Sequence, residues 1–459
     1  MEIEEGSTMD VVESRSPQNP ADLVASAPVA GADGVADAVR RARAAQARWA
    51  GANAAERAAA LTSAAEAVAG AAGELAELVV REAGKPVAEA RGEVARSAAI
   101  LRYYAQQVFD PIGAVHEPSG AGLAYTRRRP RGVAGLITPW NFPLAIPLWK
   151  AAPALAFGNA VVLKPAPHAL ACALRLAELL ALPEDLFQVV PGGPEEGAAL
   201  VEAADVVSFT GSAAVGREVS VAAVRRGVAV QAEMGGQNAA IVLRDANLEA
   251  AAAQIAAAAF GYAGQKCTAT KRVITVGNAA EVREALVAAV AKLGVGDPSD
   301  PGTAVGPLID EAARDRVVAA ATGGRTLTGG AALDRAGWFA APTLVDDVPD
   351  GHVLACDEVF GPICLVQDAG SVDEAVALAN GVRYGLVSAV YTRDLDRALE
   401  VSARLDTGLV KVNSPTSGVD FHLPFGGEKD SSYGPREQGK AAQEFYTSTR
   451  TVALAPAGH

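Results

Sequence analysis

From Asp33 onward the apolar positions recur every three or four residues, the spacing that lines one face of a helix. Val35, Ala38, Val39, Ala42 and Trp49 mark the first such face, and Ala- and Glu-rich stretches of the same period run on to Gln107. The first fifteen residues are polar and read as a loose lead-in. Between 111 and 131 the pattern breaks into short runs punctuated by Gly and Pro, closing on Arg127-Arg-Arg-Pro-Arg131. This stretch predicts a hairpin with a charged face, solvated or turned towards a neighbouring subunit. From 132 to 238 strand-like runs at 133–137, 160–163, 187–190, 206–209 and 228–232 alternate with helical stretches, the pattern of βαβ units in a parallel sheet. A second series follows, with helices at 248–260, 280–293, 372–380 and 395–405 and strands at 272–276, 364–367, 387–391 and 409–413. The tail, 445–454, is strand-like and falls outside that series. No internal repeat of solenoid period interrupts this order. The pattern predicts an α/β protein of two doubly wound lobes.

Composition narrows the function classes. Of 459 residues half are apolar and 20% charged, enough for a large core in about three domain-sized pieces, though α/β domains can run large. A net charge of −13 and the lack of a basic stripe argue against nucleic acid as a partner. Cys172, Cys267, Cys356 and Cys364 show no C-x-x-C spacing, so neither a disulfide framework nor a metal site is expected. The acidic start, Met-Glu-Ile-Glu-Glu, is no signal peptide, and no apolar run has the length of a membrane span. A soluble, cytoplasmic protein is expected.

Polar and glycine residues gather where the first series of strands ends, the edge at which such sheets bind ligands. Thr210-Gly211-Ser212 ends a strand and opens a helix, so that Ser212 can cap a helix whose free N–H groups suit a dinucleotide pyrophosphate; an ordinary capped helix has the same look. Lys164 ends another strand, in reach of ribose or phosphate, or is simply a surface lysine. Glu233 ends an apolar strand before Gly235-Gly236 and can serve as a general base, or lie at the cleft edge. Asn141, in Thr138-Pro-Trp-Asn-Phe-Pro143, can donate to an oxyanion or make an Asx-turn. Cys267 stands in Gly264-Gln-Lys-Cys-Thr-Ala-Thr-Lys-Arg272, where Lys266, Lys271 and Arg272 either favour its thiolate or point to solvent or a subunit neighbour. An inert loop cysteine is the competing reading.

These motifs, together with Phe209-Thr-Gly-Ser212, Glu233-Met-Gly-Gly-Gln237, Glu358-Val-Phe-Gly-Pro362 and Pro424-Phe-Gly-Gly427, make the chain resemble the NAD(P)-dependent aldehyde dehydrogenases from about Asn19 to Val452. The resemblance implies a Rossmann-like cofactor domain (1–109 and 131–234), a catalytic domain (235–439) and a small β oligomerisation arm (110–130 and 440–459), in a homodimer or homotetramer. It implies Cys267 as nucleophile, Glu233 as hydrolytic base, and Asn141 with the Cys267 N–H as oxyanion hole. Cofactor contacts would come from Ile137, Thr138, Trp140, Lys164, Pro167, Gly211, Ser212, Gly216, Glu358 and Phe360. Phe142, Trp149, Thr268, Phe421 and Phe425 would line the substrate tunnel. Three positions depart from the family pattern. Pro167 replaces a ribose-binding Glu, which permits NADP beside NAD. Gln237 stands where Lys is frequent, and Ser432 where Gly is usual, without expected catalytic effect.

The Cys267 motif and Val412-Asn-Ser-Pro-Thr-Ser-Gly418 resemble members that oxidise 2-oxoglutarate semialdehyde (2,5-dioxopentanoate); an aromatic or medium-chain aliphatic aldehyde is the alternative. Glu233 argues against an acylating relative that uses coenzyme A. A non-catalytic binding or structural protein on the same fold, and a thiol redox protein, remain the readings from other classes.

Overall fold

The computed structural model describes residues 10–456. Its core is built on two large, separate sheets. The first runs Ser432–Tyr433, Ala229–Glu233, Val206–Thr210, Val133–Thr138, Ala160–Pro165, Phe187–Val189. All its strands are parallel except Ser432–Tyr433, which returns from late in the chain to pair with Ala232 and Glu233. Val133–Thr138 and Ala160–Pro165 are buried at every position, as unbroken apolar runs in a covered parallel sheet require. The helices Gly31–Trp49, Ala145–Ala156 and Pro194–Ala203 pack on it. Because the chain winds outward in both directions from Val133–Thr138, the crevice between that strand and Val206–Thr210 is the sheet's topological switch point.

The second sheet runs Arg325–Thr328, Thr343–Asp346, Ile363–Ala369, Arg272–Val276, Ala239–Val242, Val387–Tyr391, Leu409–Val412, parallel but for the first strand. Its orientation decides where the site lies. Glu233 and Thr138 sit at the carboxyl ends of first-sheet strands, whereas Cys267, Glu358 and Asn238 precede the second-sheet strands that start at Arg272, Ile363 and Ala239. The carboxyl edge of one sheet therefore faces the amino edge of the other.

The hairpin predicted at 111–131 is present as Val115–His116 and Leu123–Pro130. The tail joins it as Thr447–Leu454, in register from Pro130↔Thr447 to Leu123↔Leu454. Residues 445–446 belong instead to the helix Ala441–Tyr446, where Phe445 and Tyr446 are buried against the first lobe. Residues 11–15 of the expected loose start are ordered instead: Val11–Ser16 pairs with Asn19–Pro28 in a hairpin, with Ser14 and Ser16 buried. The Met-Glu-Ile-Glu-Glu segment lies outside the described residues. Among the described residues no helix is long and apolar enough to cross a membrane.

Candidate active site

The cysteine loop is built on a strained turn. After the helix Leu248–Phe260, Tyr262 (φ 55°), Ala263 (φ 53°) and Gly264 (φ 64°) are left-handed in succession. For the two non-glycine residues this costs roughly 1–2 kcal/mol each, so neighbours must hold them. The buried Tyr262 donates its hydroxyl to Ala83 O (3.2 Å) and its N–H to Ala304 O (3.0 Å). Gln265 donates to Pro307 O (3.1 Å) and accepts from Ile309 N (2.9 Å). A Cβ on Gly264 would lie 2.2 Å from Gly361 O, so only glycine fits. The turn presents Cys267 half-buried in the gap between the sheets, its carbonyl accepting from Asn238 Nδ2 (2.7 Å).

The flanking cations do not act as expected. Lys266 pairs with Glu89 (2.8 Å). Lys271 donates to Gly264 O (2.8 Å) and Gly361 O (3.1 Å), and the Arg272 guanidinium to the carbonyls of Gln237, Leu378 and Ala379. All three are staples of the loop. Burial, then the negative charge of Glu358, Glu233 and Glu437, pushes the Cys267 thiol up to about 12. In this state the site stores a thiol, and the expected low-pKa cysteine is corrected.

Asn141 is buried, with one amide N–H donated to Gln265 O (3.0 Å). An amide carries two N–H groups, which leaves one for a ligand, and the Cys267 N–H makes no hydrogen bond among the described residues. Glu233 is buried and accepts Ser432 Oγ–H at 2.5 Å on Oε2. Burial and the nearby Glu437 hold its carboxyl well above the usual range, against the opposing effects of Ser432, Lys150 and Arg436. Glu358 accepts Gly236 N–H (3.2 Å) and is pushed up to about 7, chiefly by burial. A Cβ on Gly235 would fall 1.8 Å from Glu358 Oε2, so the glycine pair admits that carboxylate.

Two cavities meet at this point. One, of about 260 Å³, is lined by Trp140, Asn141, Cys267, Glu358 and Phe360. The other, of about 530 Å³, runs along the switch point past Ile137, Thr138, Lys164 and Pro167. Trp140, Gly211 and Ser212 line both. Ser212 caps the helix Ala213–Arg225, accepting Val215 N–H. Lys164 is buried, with Gly192 O and Gly193 O each 3.3 Å from Nζ. Thr138 Oγ1 and Thr210 Oγ1 are buried on this wall without a partner. Orphaned hydroxyls beside a helix N-terminus and a lysine fit an elongated phosphate-bearing ligand.

The sequence matches the model of the aldehyde dehydrogenase family over residues 3–452. The chain belongs to that family. An alpha-ketoglutaric semialdehyde dehydrogenase of Bacillus subtilis is 38% identical over 97% of this chain and 95% of its own length. An alpha-ketoglutarate semialdehyde dehydrogenase of Haloferax volcanii is 39% identical over 97% and 96%. A betaine aldehyde dehydrogenase of Cereibacter sphaeroides is 40% identical over 89% and 86%. Among solved structures, an NAD-dependent aldehyde dehydrogenase from Sinorhizobium meliloti superposes with TM-score 0.94 at 33% identity, covering 100% of this chain and 94% of that one. An NADP-dependent enzyme of E. coli does so with TM-score 0.93 at 34%, covering 97% and 95%.

In this aldehyde dehydrogenase Gly216 lines neither cavity; it is buried where a Cβ would meet Met234 Sδ at 2.6 Å. The five aromatic and threonine positions expected in the tunnel also lie outside both linings. Trp149 packs on Phe425 (6.0 Å between ring centres), Phe421 on Tyr103 (5.7 Å), and Phe142 lies under the Lys85 ammonium (3.7 Å), while Thr268 is buried. The Gln237 amide donates to Leu354 O (2.6 Å), a structural bond.

Several residues at the site escaped sequence reading. Lys150 is fully buried in the apolar helix Ala145–Ala156 and pairs with the buried Glu437, also donating to Ser208 Oγ (2.8 Å). A lone lysine in an all-apolar helix was the available signal, since lysine is buried only with a partner. Lys85 pairs with Glu93, and both are buried. Ser432, expected to be without catalytic effect, touches Glu233.

Proposed function

We propose that this aldehyde dehydrogenase oxidises an oxo-acid semialdehyde, 2-oxoglutarate semialdehyde first among them, to the free acid, with NAD or NADP as acceptor. The observation that carries the reaction class is the joining of the long groove to the Cys267 cavity, with a carboxylate and an amide on its walls. Cys267 supplies the nucleophile, and its proton must leave before attack because burial keeps the thiol protonated. Asn141, through its free amide N–H, and the Cys267 N–H hold the oxyanion of the thiohemiacetal. A bound nicotinamide supplies the hydride acceptor that turns this intermediate into a thioester. Glu233 then takes a proton from the hydrolytic water. Lys164, Thr138 and Ser212 would hold the adenosine and pyrophosphate portions, and Glu358 the nicotinamide ribose. No carboxylate occupies position 167, so a 2′-phosphate meets no repulsion there.

The substrate reading is supported by two relatives of that name at 38% and 39% identity across nearly the whole chain. A second reading, an aromatic or medium-chain aliphatic aldehyde, draws on the Trp140 and Phe360 rings in the wall of the Cys267 cavity. Initial rates with 2-oxoglutarate semialdehyde, benzaldehyde, hexanal and betaine aldehyde, each with NAD and NADP, separate them. A kcat/KM for the semialdehyde below that of any other overturns the substrate assignment. The division into cofactor domain, catalytic domain and arm belongs to the same proposal, with the exposed Val115, Leu123 and Leu454 of the arm offered to a second subunit.

A further inference from the structure

Among the described residues one side chain, Ser432, donates a hydrogen bond to the Glu233 carboxylate. Ser432 Oγ–H donates to Glu233 Oε2 at 2.5 Å, and the same oxygen accepts Gly427 N–H at 2.6 Å. The contact is set by the backbone, because Ser432 and Glu233 are register partners across the antiparallel edge of the first sheet. Unlike Glu233, Ser432 is half-exposed. It lines a separate cavity of about 310 Å³ with Met234, Arg217, Asp430 and Tyr433. The charged groups acting on Glu233 are Glu437, Lys150 and Arg436; Cys267 shares its field, and Lys429 and Asp430 line the cavity beyond Ser432. Lys150 is committed to Glu437, and Arg436 to Gly427 O and Glu428.

We propose that Ser432 is the positioning and proton-relay residue of Glu233, holding the carboxylate in place and passing the proton it collects to the cavity on the far side of the sheet edge. The proton balance is simple. Water attacking the thioester gives one proton to Glu233. Glu233 Oε2–H then donates to Ser432 Oγ while the Ser432 hydroxyl proton moves to water in the cavity. Ser432 is left as a neutral hydroxyl and Glu233 as a carboxylate, ready for the next turnover. Gly427 N–H keeps the serine oxygen fixed throughout. The reassignment rests on the hydrolytic reading of Glu233 above.

Ser432→Ala, Ser432→Thr and Ser432→Gly in the full-length protein test it. Ser432→Ala removes the relay atom and keeps only the Cβ, which neither donates nor accepts. Ser432→Thr keeps the hydroxyl, and Ser432→Gly leaves room for a water on Gly427 N–H. With an aldehyde the wild type oxidises, Ser432→Ala should give a stoichiometric burst of reduced nicotinamide followed by a steady rate lower by about tenfold or more, the loss of a hydrogen bond to a charged group. Ser432→Thr should stay within about twofold of wild type, with Ser432→Gly between. An infrared titration of the Glu233 carboxyl, assigned by Glu233→Gln, needs no turnover and should show its pKa rising in Ser432→Ala. Equal steady rates and equal titrations in Ser432→Ala and wild type overturn the relay. So does a Ser432→Thr enzyme as slow as Ser432→Ala, which would assign the effect to packing. If wild-type enzyme releases no free acid, the hydrolytic reading fails, whereas an unmoved Glu233 titration counts against Ser432 alone.

Discussion

At Cys267 the charge that matters is negative. Its cationic neighbours are engaged elsewhere, Lys266 by Glu89 and Lys271 and Arg272 by backbone carbonyls, and Glu358, Glu233 and Glu437 reinforce burial in keeping the proton on sulfur. The thiolate fraction therefore grows tenfold per pH unit until the shifted pKa is passed. Iodoacetamide should alkylate Cys267 in the cofactor-free protein at a rate still rising between pH 9 and 10, where an ordinary thiol has levelled off. Glu358→Gln removes one repelling charge and should accelerate alkylation at pH 8. A plateau below pH 9 contradicts the assignment. Asn141 makes a different prediction. Losing one oxyanion donor should cost about 10²–10³ in kcat, in a protein that still folds and whose unfolding midpoint drops only slightly, because its other N–H makes only one bond to Gln265 O. Steady-state kinetics beside thermal unfolding of Asn141→Ala checks both halves.

The elements show why some of this was legible in sequence and some was not. The helix Leu248–Phe260 and the strands Arg272–Val276 and Val387–Tyr391 have the limits their apolar runs suggest. Ala239–Val242, an interior strand of the second sheet, is not legible because four residues after Gly235-Gly236 carry no period of their own; its partners on both sides make it a strand. Ser432–Tyr433 is shorter still, and only the fold brings it to Glu233. The chemistry-bearing residues were visible one by one, but what surrounds them depends on contacts across hundreds of positions. The Lys85–Glu93 pair is one example. Glu93 accepts the N–H groups of Leu144 and Ala145, while the Lys85 ammonium lies over Phe142 and Tyr262 (3.7 and 4.7 Å), tying the Asn141 loop to the cysteine turn. Lys85→Met leaves Glu93 buried without its countercharge and should destabilise the protein by about 3–5 kcal/mol, measured by denaturant unfolding. A loss under 1 kcal/mol would show the pair to be dispensable. Gly264→Ala should instead displace the turn, since Gly361 O occupies the space its Cβ needs. Slow Cys267 alkylation in a protein that still folds is the expected sign.

For the whole molecule, the two sheets are set so that the switch point of the first opens onto the loops that precede the strands of the second. This arrangement makes one continuous path from Lys164 to Cys267. The arm, by contrast, leaves Val115 74% exposed on a small three-stranded sheet, more apolar surface than so short an element hides by itself. Light scattering at micromolar concentration should give a dimer or tetramer mass, and a monomer contradicts the arm's role. The path itself is tested most directly by product stoichiometry with 2-oxoglutarate semialdehyde. The account predicts one free dicarboxylic acid per reduced nicotinamide, without coenzyme A, and none from Cys267→Ala. Acid formation that survives Cys267→Ala, or a thioester that is released only to coenzyme A, would contradict it.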